Sequence, residues 1–428
     1  MVIHVVSRGE SLWSISNRYG ALIPIIVRDN GLLSIQSIVP GLSLYIPNYQ
    51  TSTFPRYYRV KAGDELWSLA RRYQTNLGRI LKANPGIRPN QLMIGQRLII
   101  PSPVQLPLTT LGFIEPYNPE AFLSTFNLLA NELTYIAVAA FSVTEEGYAY
   151  VFLRDQEIVE RSKRLNVIPL LMIRNFRNGE FSPELIDRIL ANPTYRNRLI
   201  TSLVTLVRGR GYAGVSIDFE FIPPERRNEF NQFLRDLKLA LGEQILHVNV
   251  HAKSEDLPTN RIVGAYDYRE IGQTADIVAV MTIDYGYPTG PPDPIAPIWW
   301  VEDVLRYALT LIRPNKLQMA LAFYGYDKTV PDYKTKALSI QGAQNQAIMR
   351  GSMIQYDAVA QSPWYRYWED STEHIVWFED IRSYVEKYKL MDEYQILGTT
   401  FWQLSLPAPQ NMAFLRDNIA IRKQQLRC

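Results

Sequence analysis

The sequence predicts an α/β protein: a (β/α)8, or TIM, barrel with a small inserted α+β segment, preceded by two small βααβ modules. Three observations predict it. The first hundred residues contain a duplication. The rest alternates short apolar runs with amphipathic stretches, and one interval late in the chain is too long for a single helix.

The duplication comes first. Val6, Gly9, Leu12, Trp13, Tyr19, Asn30, Gly41, Leu44, Ile46 and Pro47 recur as Val60, Gly63, Leu66, Trp67, Tyr73, Asn84, Gly95, Leu98, Ile100 and Pro101, every pair 54 positions apart. Each copy reads strand, helix, helix, strand. In the second copy Tyr58–Val60 leads into a turn at Ala62–Asp64. Leu66, Leu69, Ala70 and Tyr73 then fall at helical spacing, Leu77, Ile80 and Leu81 mark another helix, and Gln96–Pro101 closes the unit as a strand. Trp13 and Trp67 read as core residues on the apolar face of the first helix. The modules are expected at 1–48 and 57–102, with Tyr49–Arg56 as linker.

From about residue 108 to 428, eight candidate strands follow: Thr110–Ile114, Tyr135–Phe141, Val167–Ile173, Gly214–Phe219, Ile245–Val250, Ile277–Ile283, Gln318–Phe323 and Gly398–Gln403. Helical patterns such as Arg227–Leu241 and Val301–Leu311 separate most of them, as strand–helix alternation in a parallel barrel requires. An open doubly wound sheet is the alternative, but no Gly-rich phosphate turn follows an early strand. The long interval, about 327–397, predicts an insertion, and its Ile354–Ala358 and Ile375–Phe378 runs suggest a hairpin or subdomain.

Composition narrows the chemistry. Forty-five basic against 42 acidic residues give a net charge of +3, with no dense Lys/Arg run, so no nucleic-acid footprint is expected. The single cysteine, Cys428, excludes an internal disulfide and a multi-thiolate zinc site. With four histidines, a His-rich metal site is not expected either, and neither a metal nor an organic cofactor is called for. Met1–Val6 lacks a basic leader, so export by the usual secretory signal is not expected, and no stretch approaches the roughly 20 apolar residues of a membrane span.

Barrel active sites form at the C-terminal strand ends, so polar residues that finish apolar strands are the ones to inspect: Glu115, Asn175, Asp218, Glu220, Asn249, His251, Asp284, Tyr285, Asp327 and Gln403. In Gly214–Glu220, side chains alternate, which points Ser216, Asp218 and Glu220 to one face. Two carboxylates at i and i+2 favour one of them keeping its proton, as a general acid requires. A structural ion pair at the strand end is the other reading of the same residues.

The duplicated pattern Gly-Asp/Glu-x-Leu-Trp, Asn-Pro/Gly and Gly-x-x-Leu-x-Ile-Pro resembles the LysM module. The resemblance implies binding of N-acetylglucosamine-containing glycans in shallow grooves, near Gly9–Leu12 with Arg28–Leu32 and Gly63–Leu66 with Ala83–Ile87. Gly9, Leu12, Asn30, Gly63, Leu66 and Asn84 are the binding residues it implies.

Ala213–Glu220 is similar to the strand signature of glycoside hydrolase family 18, Asp-Gly-x-Asp-x-Asp-x-Glu, with Ala213 and Ser216 in place of its first two aspartates. Val280–Asp284 resembles the family's Met-x-Tyr-Asp, with Ile283 where a tyrosine stands, and Phe401-Trp402 its eighth-strand tryptophan. Tyr324–Asp327, Gly286–Pro292, His374–Asp380 and Leu404–Pro407 resemble the family's spore-associated branch of cortex-fragment N-acetylglucosaminidases.

The resemblance implies substrate-assisted, retaining hydrolysis of β-linked N-acetylglucosamine bonds in peptidoglycan. Glu220 would be acid and base, and Asp218 the residue orienting the acetamide. Tyr285, two residues beyond Ile283, would supply the missing hydroxyl. Trp402, Asp284, Asn175 and Tyr326 complete the implied substrate site. A chitinase and a non-catalytic glycan-binding coat protein are the alternatives. A monomer associated with spore coat, cortex or cell wall is expected. His247, His251 and His374 are read as structural.

Overall fold

The computed structural model describes residues 2–47, 54–89 and 91–423; most of the expected linker and Cys428 lie outside them. In the first module Val2–Val5 pairs antiparallel with Ser43–Ile46 around helices Leu12–Tyr19 and Ile23–Asn30. The second repeats this with Arg56–Arg59 against Arg97–Ile100 and helices Leu66–Arg72 and Leu77–Ala83. Helix starts follow their caps: the Ser11 hydroxyl accepts from the Ser14 N–H, and the Asn76 side chain from the Arg79 N–H.

Trp13 and Trp67 are 69% and 61% exposed, against the expectation that they fill cores. Leu12 and Ile15, three positions apart, face inward, as do Leu66 and Leu69. A residue one step along a helix turns about 100° away from its neighbour, so each tryptophan following the inward leucine leaves the buried stripe.

All eight expected strands form: β1 Leu106–Ile114, β2 Tyr135–Val143, β3 Ile168–Arg174, β4 Gly214–Asp218, β5 Ile245–His251, β6 Ile277–Met281, β7 Leu317–Ala322 and β8 Gly398–Trp402. Each pairs in parallel with the next, and β8 returns to β1 with Gly398 opposite Thr109. That seam is tight: a Cβ on Gly398 would lie 1.8 Å from the Thr109 carbonyl oxygen. Leu111, Phe113, Tyr135, Ala137, Ile168, Leu170 and Met172 fill the barrel interior, while the other faces of the strands pack on the helices in the main core.

Between β7 and β8 the chain builds an antiparallel sheet of five strands. Their spatial order is Thr335–Ser339, Tyr324–Val330, Thr372–Trp377, Ser362–Glu369 and Gln355–Asp357, with the helix Ile340–Arg350 alongside. Tyr324–Val330 starts two residues after β7 ends, so it carries its side chains straight over the rim of the barrel.

Candidate active site

Asp218 ends β4, and Glu220 lies just beyond it. Glu220 is gripped through its backbone by the neighbouring β3: its N–H donates to Asn175 Oδ1 and its carbonyl accepts from Asn175 Nδ2, both at 2.9 Å. The second Asn175 N–H goes to the Ser182 carbonyl at 3.0 Å. Asn175 is fully buried and its amide is spent on backbone, so it positions Glu220 and is not free for the substrate contact expected of it.

Asp218 is 4% exposed. Burial pushes its carboxyl well above the usual carboxylate range, and the Glu220 charge pushes further. The Arg174 guanidinium and the Asn249 amide oppose them, and Glu115 adds to the upward push. Arg174, at the end of β3, donates to Glu115 Oε1 at 2.7 Å, and Gln403 Nε2 reaches Glu115 Oε2 at 3.2 Å. A polar chain thus runs from Gln403 through Glu115 to Arg174, whose charge acts on Asp218.

Beneath Asp218, where the family signature has an aspartate, Ser216 Oγ lies 2.9 Å from His247 Nδ1. Burial lowers the His247 pKa to about 3, so this pair is neutral. Removal of a carboxylate from that level takes away one like charge, and Arg174 supplies the one strong counter-charge Asp218 feels.

The strand expected to run to Ile283 stops at Met281, and Asp284 has a left-handed φ of 58°. Side-chain alternation therefore breaks before Tyr285, which does not follow Ile283 onto the interior face. Its ring packs instead on Trp299 and Trp300, with centroids 5.2 and 5.5 Å away. The hydroxyls come from elsewhere. Tyr324 and Tyr326, on the first inserted strand, donate to Asp284 Oδ1 at 2.7 and 2.8 Å. Water reaches Asp284, yet the surrounding protein raises its proton affinity; the two tyrosine hydrogen bonds oppose this and the Glu220 charge adds to it.

Trp402, half-buried at the end of β8, lies 5.4 Å from Phe113 and packs against the cluster containing Tyr324 and Tyr326. Its indole therefore lies between the barrel interior and the inserted strand.

His251, read as structural from the sequence, ends β5 with Nε2 3.2 Å from Glu220 Oε2, an approach short of an aligned hydrogen bond. Its ring sits between Phe221 and Tyr266, each 5.6 Å away. Its place at the end of an apolar strand was the available signal. Asp327 turns to the far face of the inserted sheet, where it accepts from Tyr367 at 2.6 Å and contacts His374 Nδ1 at 2.8 Å.

In the modules, Gly9 and Gly63 occupy exposed turns with φ of 86° and 81°. The other four expected binding residues are otherwise engaged. Leu12 and Leu66 are core. Asn30 brackets Tyr45 through its backbone N–H and carbonyl, and Asn84 does the same for Ile99. These asparagines tie the second helix of each module to its last strand; Asn30 is filled completely, Gln410 taking its second acceptor site, and Asn84 has both amide N–H groups spent on backbone.

Among the described residues no group of three or more His, Cys, Asp or Glu is placed to hold a metal ion, and no helix is long and apolar enough to cross a membrane.

Known proteins share this architecture. The family described as glycosyl hydrolases family 18 matches residues 128–406, and the LysM domain matches 4–47 and 58–101. The cortical fragment-lytic enzyme of Bacillus anthracis is 32% identical, over 99% of both chains. The crystal structure of the Bacillus cereus spore cortex-lytic enzyme SleL superposes with a TM-score of 0.85 at 31% identity, covering 99% of this chain and 98% of that one. SleL of Bacillus megaterium QM B1551 gives 0.81 at 33% identity, over 99% of both.

Proposed function

Since this chain belongs to glycosyl hydrolase family 18 and carries two LysM modules, we propose that it cleaves β-linked N-acetylglucosamine bonds in cortical peptidoglycan fragments. That it is a glycoside hydrolase follows from the family. The narrower substrate rests on full-length similarity to cortex-lytic relatives. A monomer working at the spore cortex or cell wall fits this reading, with modules at 1–48 and 57–102 and the catalytic barrel over 108–428, interrupted at about 327–397.

The observation that carries the mechanism is the placement of buried Asp218 beside the more open Glu220, so that the two carboxyls hold one proton between them; when the sugar's acetamide N–H takes Asp218 as its acceptor, that proton passes to Glu220. Glu220 gives its proton to the glycosidic oxygen as the bond to the anomeric carbon breaks. The sugar's own 2-acetamido oxygen attacks that carbon and forms an oxazolinium ion, so no protein carboxylate becomes a nucleophile. Asp218 accepts from the acetamide N–H and stabilises the positive charge that grows there. Water then attacks the anomeric carbon, Glu220 takes its proton, the ring reopens, and configuration is retained.

Trp402 gives the reacting sugar an apolar floor. Asp284, with Tyr324 and Tyr326, provides the polar wall for which Tyr285 was expected. His251 steadies the Glu220 carboxylate in its basic form.

Glu220→Gln keeps shape and hydrogen bonding but cannot cycle a proton. Mass spectrometry of products from cortex fragments should show turnover reduced about 1,000-fold or more with glycan binding retained. Turnover near wild type would remove Glu220 from its role, and cleavage of chitin oligomers in preference to cortex fragments would move the substrate to chitin.

A further inference from the structure

The two modules share a sequence pattern but not a situation. After its second helix, module 1 runs directly into the barrel. Gln344 Nε2 donates to the Asn30 carbonyl at 2.7 Å, and Gln341 Nε2 and Asn345 Nδ2 donate to the Gly31 carbonyl at 2.9 and 2.8 Å. The Leu33 N–H donates to Asn345 Oδ1 at 3.1 Å, and the Ile354 N–H to the Pro40 carbonyl at 3.0 Å. These backbone groups at the helix end and its following loop are therefore already paired with protein.

Position-by-position comparison sharpens the contrast. Gly41 and Gly95 are equivalent, 54 positions apart, with φ of 82° and 83°. A Cβ on Gly41 would lie 1.7 Å from the Ile354 carbonyl oxygen, and on Gly95 it would meet nothing within 4 Å; the first turns do not differ, since Gly9 and Gly63 are both open. The apolar interiors differ likewise. Module 1's core residues merge with those of the barrel in one cluster, whereas module 2 keeps a separate core of its own.

Module 2 attaches through its strands and by charge. Arg56 pairs with Asp392, while Arg59 and Arg97 pair with Glu302 and Glu393. Lys61 Nζ also reaches Gln395 Oε1 at 2.7 Å, while Gly63, Glu65, Pro85, Gly86, Met93 and Ile94 are exposed.

We infer that the modules have divided their labour: module 1 is a brace whose groove segment Asp29–Leu32 is buried, with Asn30 and Gly31 bonded to the inserted helix, and module 2 alone captures the N-acetylglucosamine chain. The ligand class rests on the functional reading above; the division rests on the contacts. Module 1 braces the helix Ile340–Arg350, which flanks the inserted sheet bearing Tyr324 and Tyr326, so its loss of a binding groove stiffens the catalytic mouth.

The test uses the full chain as Glu220→Gln, incubated with a diazirine-bearing N-acetylglucosamine hexamer and mapped by mass spectrometry after irradiation. Crosslinks are expected in the barrel mouth and at 63–67 and 84–96, with none at 28–41. Crosslinks at both module loops would overturn the division and leave the glycan reading standing. Crosslinks in the barrel alone would overturn module 2's role, and none anywhere would overturn the ligand class itself. As a second arm, Gly41→Ala and Gly95→Ala incur the same backbone strain at matching φ. Gly41→Ala is expected to lower the melting midpoint by about 5 °C more than Gly95→Ala. Equal shifts would overturn the brace.

Discussion

Two acidic sites lie two strands apart on the rim of one barrel, and they are built by opposite means. Asp218 and Glu220 stand at the end of β4, with their partners at the ends of adjacent strands: Arg174 and Asn175 at β3, His251 at β5. Asp284 stands beyond the end of β6 in a left-handed conformation, held by tyrosines about forty residues later in the chain. The first site is rigid because the barrel is rigid. The second is only as well placed as the inserted sheet that reaches over it. The expected division of work follows: the β4 site does the proton chemistry, and the β6 site adjusts how the acetamide sugar sits.

Substitutions at five residues break or sharpen that contrast. Asp218→Asn removes the charge that stabilises the oxazolinium, and kcat should fall about 100- to 1,000-fold with a smaller change in KM. The same variant carries a stability signature. Asp218's folded pKa is raised above its unfolded value of about 3.9, so the native state holds the extra proton and stability is lost as pH rises from there through the folded pKa. Asp218→Asn should therefore melt higher than wild type at neutral pH, with the gap closing below about pH 4. A gap that does not depend on pH would contradict the assigned proton.

Tyr324→Phe with Tyr326→Phe strips both donors from Asp284. Steady-state kinetics should show an approximately 10- to 100-fold loss in kcat/KM with the fold intact by circular dichroism. A loss as large as that of Asp218→Asn would erase the difference between the two sites. His251→Ala leaves Glu220 in place but unsteadied, and kcat should drop about three- to tenfold, with partial recovery in His251→Gln. Tyr285→Phe should be within about twofold of wild type in kcat/KM, because its ring packs on tryptophans away from the role expected of it.

Much of this was legible locally. The offset of 54 positions exposed two modules, apolar runs of strand length marked all eight barrel strands, and a period of two put Ser216, Asp218 and Glu220 on one face. Each of these signals lies within one element or one repeat, where backbone geometry alone links residue to neighbour. Tyr285 failed for the same reason in reverse. The alternation that recommended it needs extended backbone, and β6 ends three residues short of Asp284.

By itself, then, the sequence determined the architecture, the duplication and the placing of Asp218 and Glu220 together at one strand end, since periodicity and spacing suffice for those. The tertiary structure decided the rest. It put Arg174 and Asn175 around that pair and chose Tyr324 and Tyr326 as partners for Asp284. It turned Trp13 and Trp67 outward, and it joined one module to the barrel core while leaving its twin separate. Those outcomes depend on which surfaces meet when the barrel closes and the insertion folds over it. Contacts between residues tens or hundreds of positions apart leave no period in the chain from which they can be read.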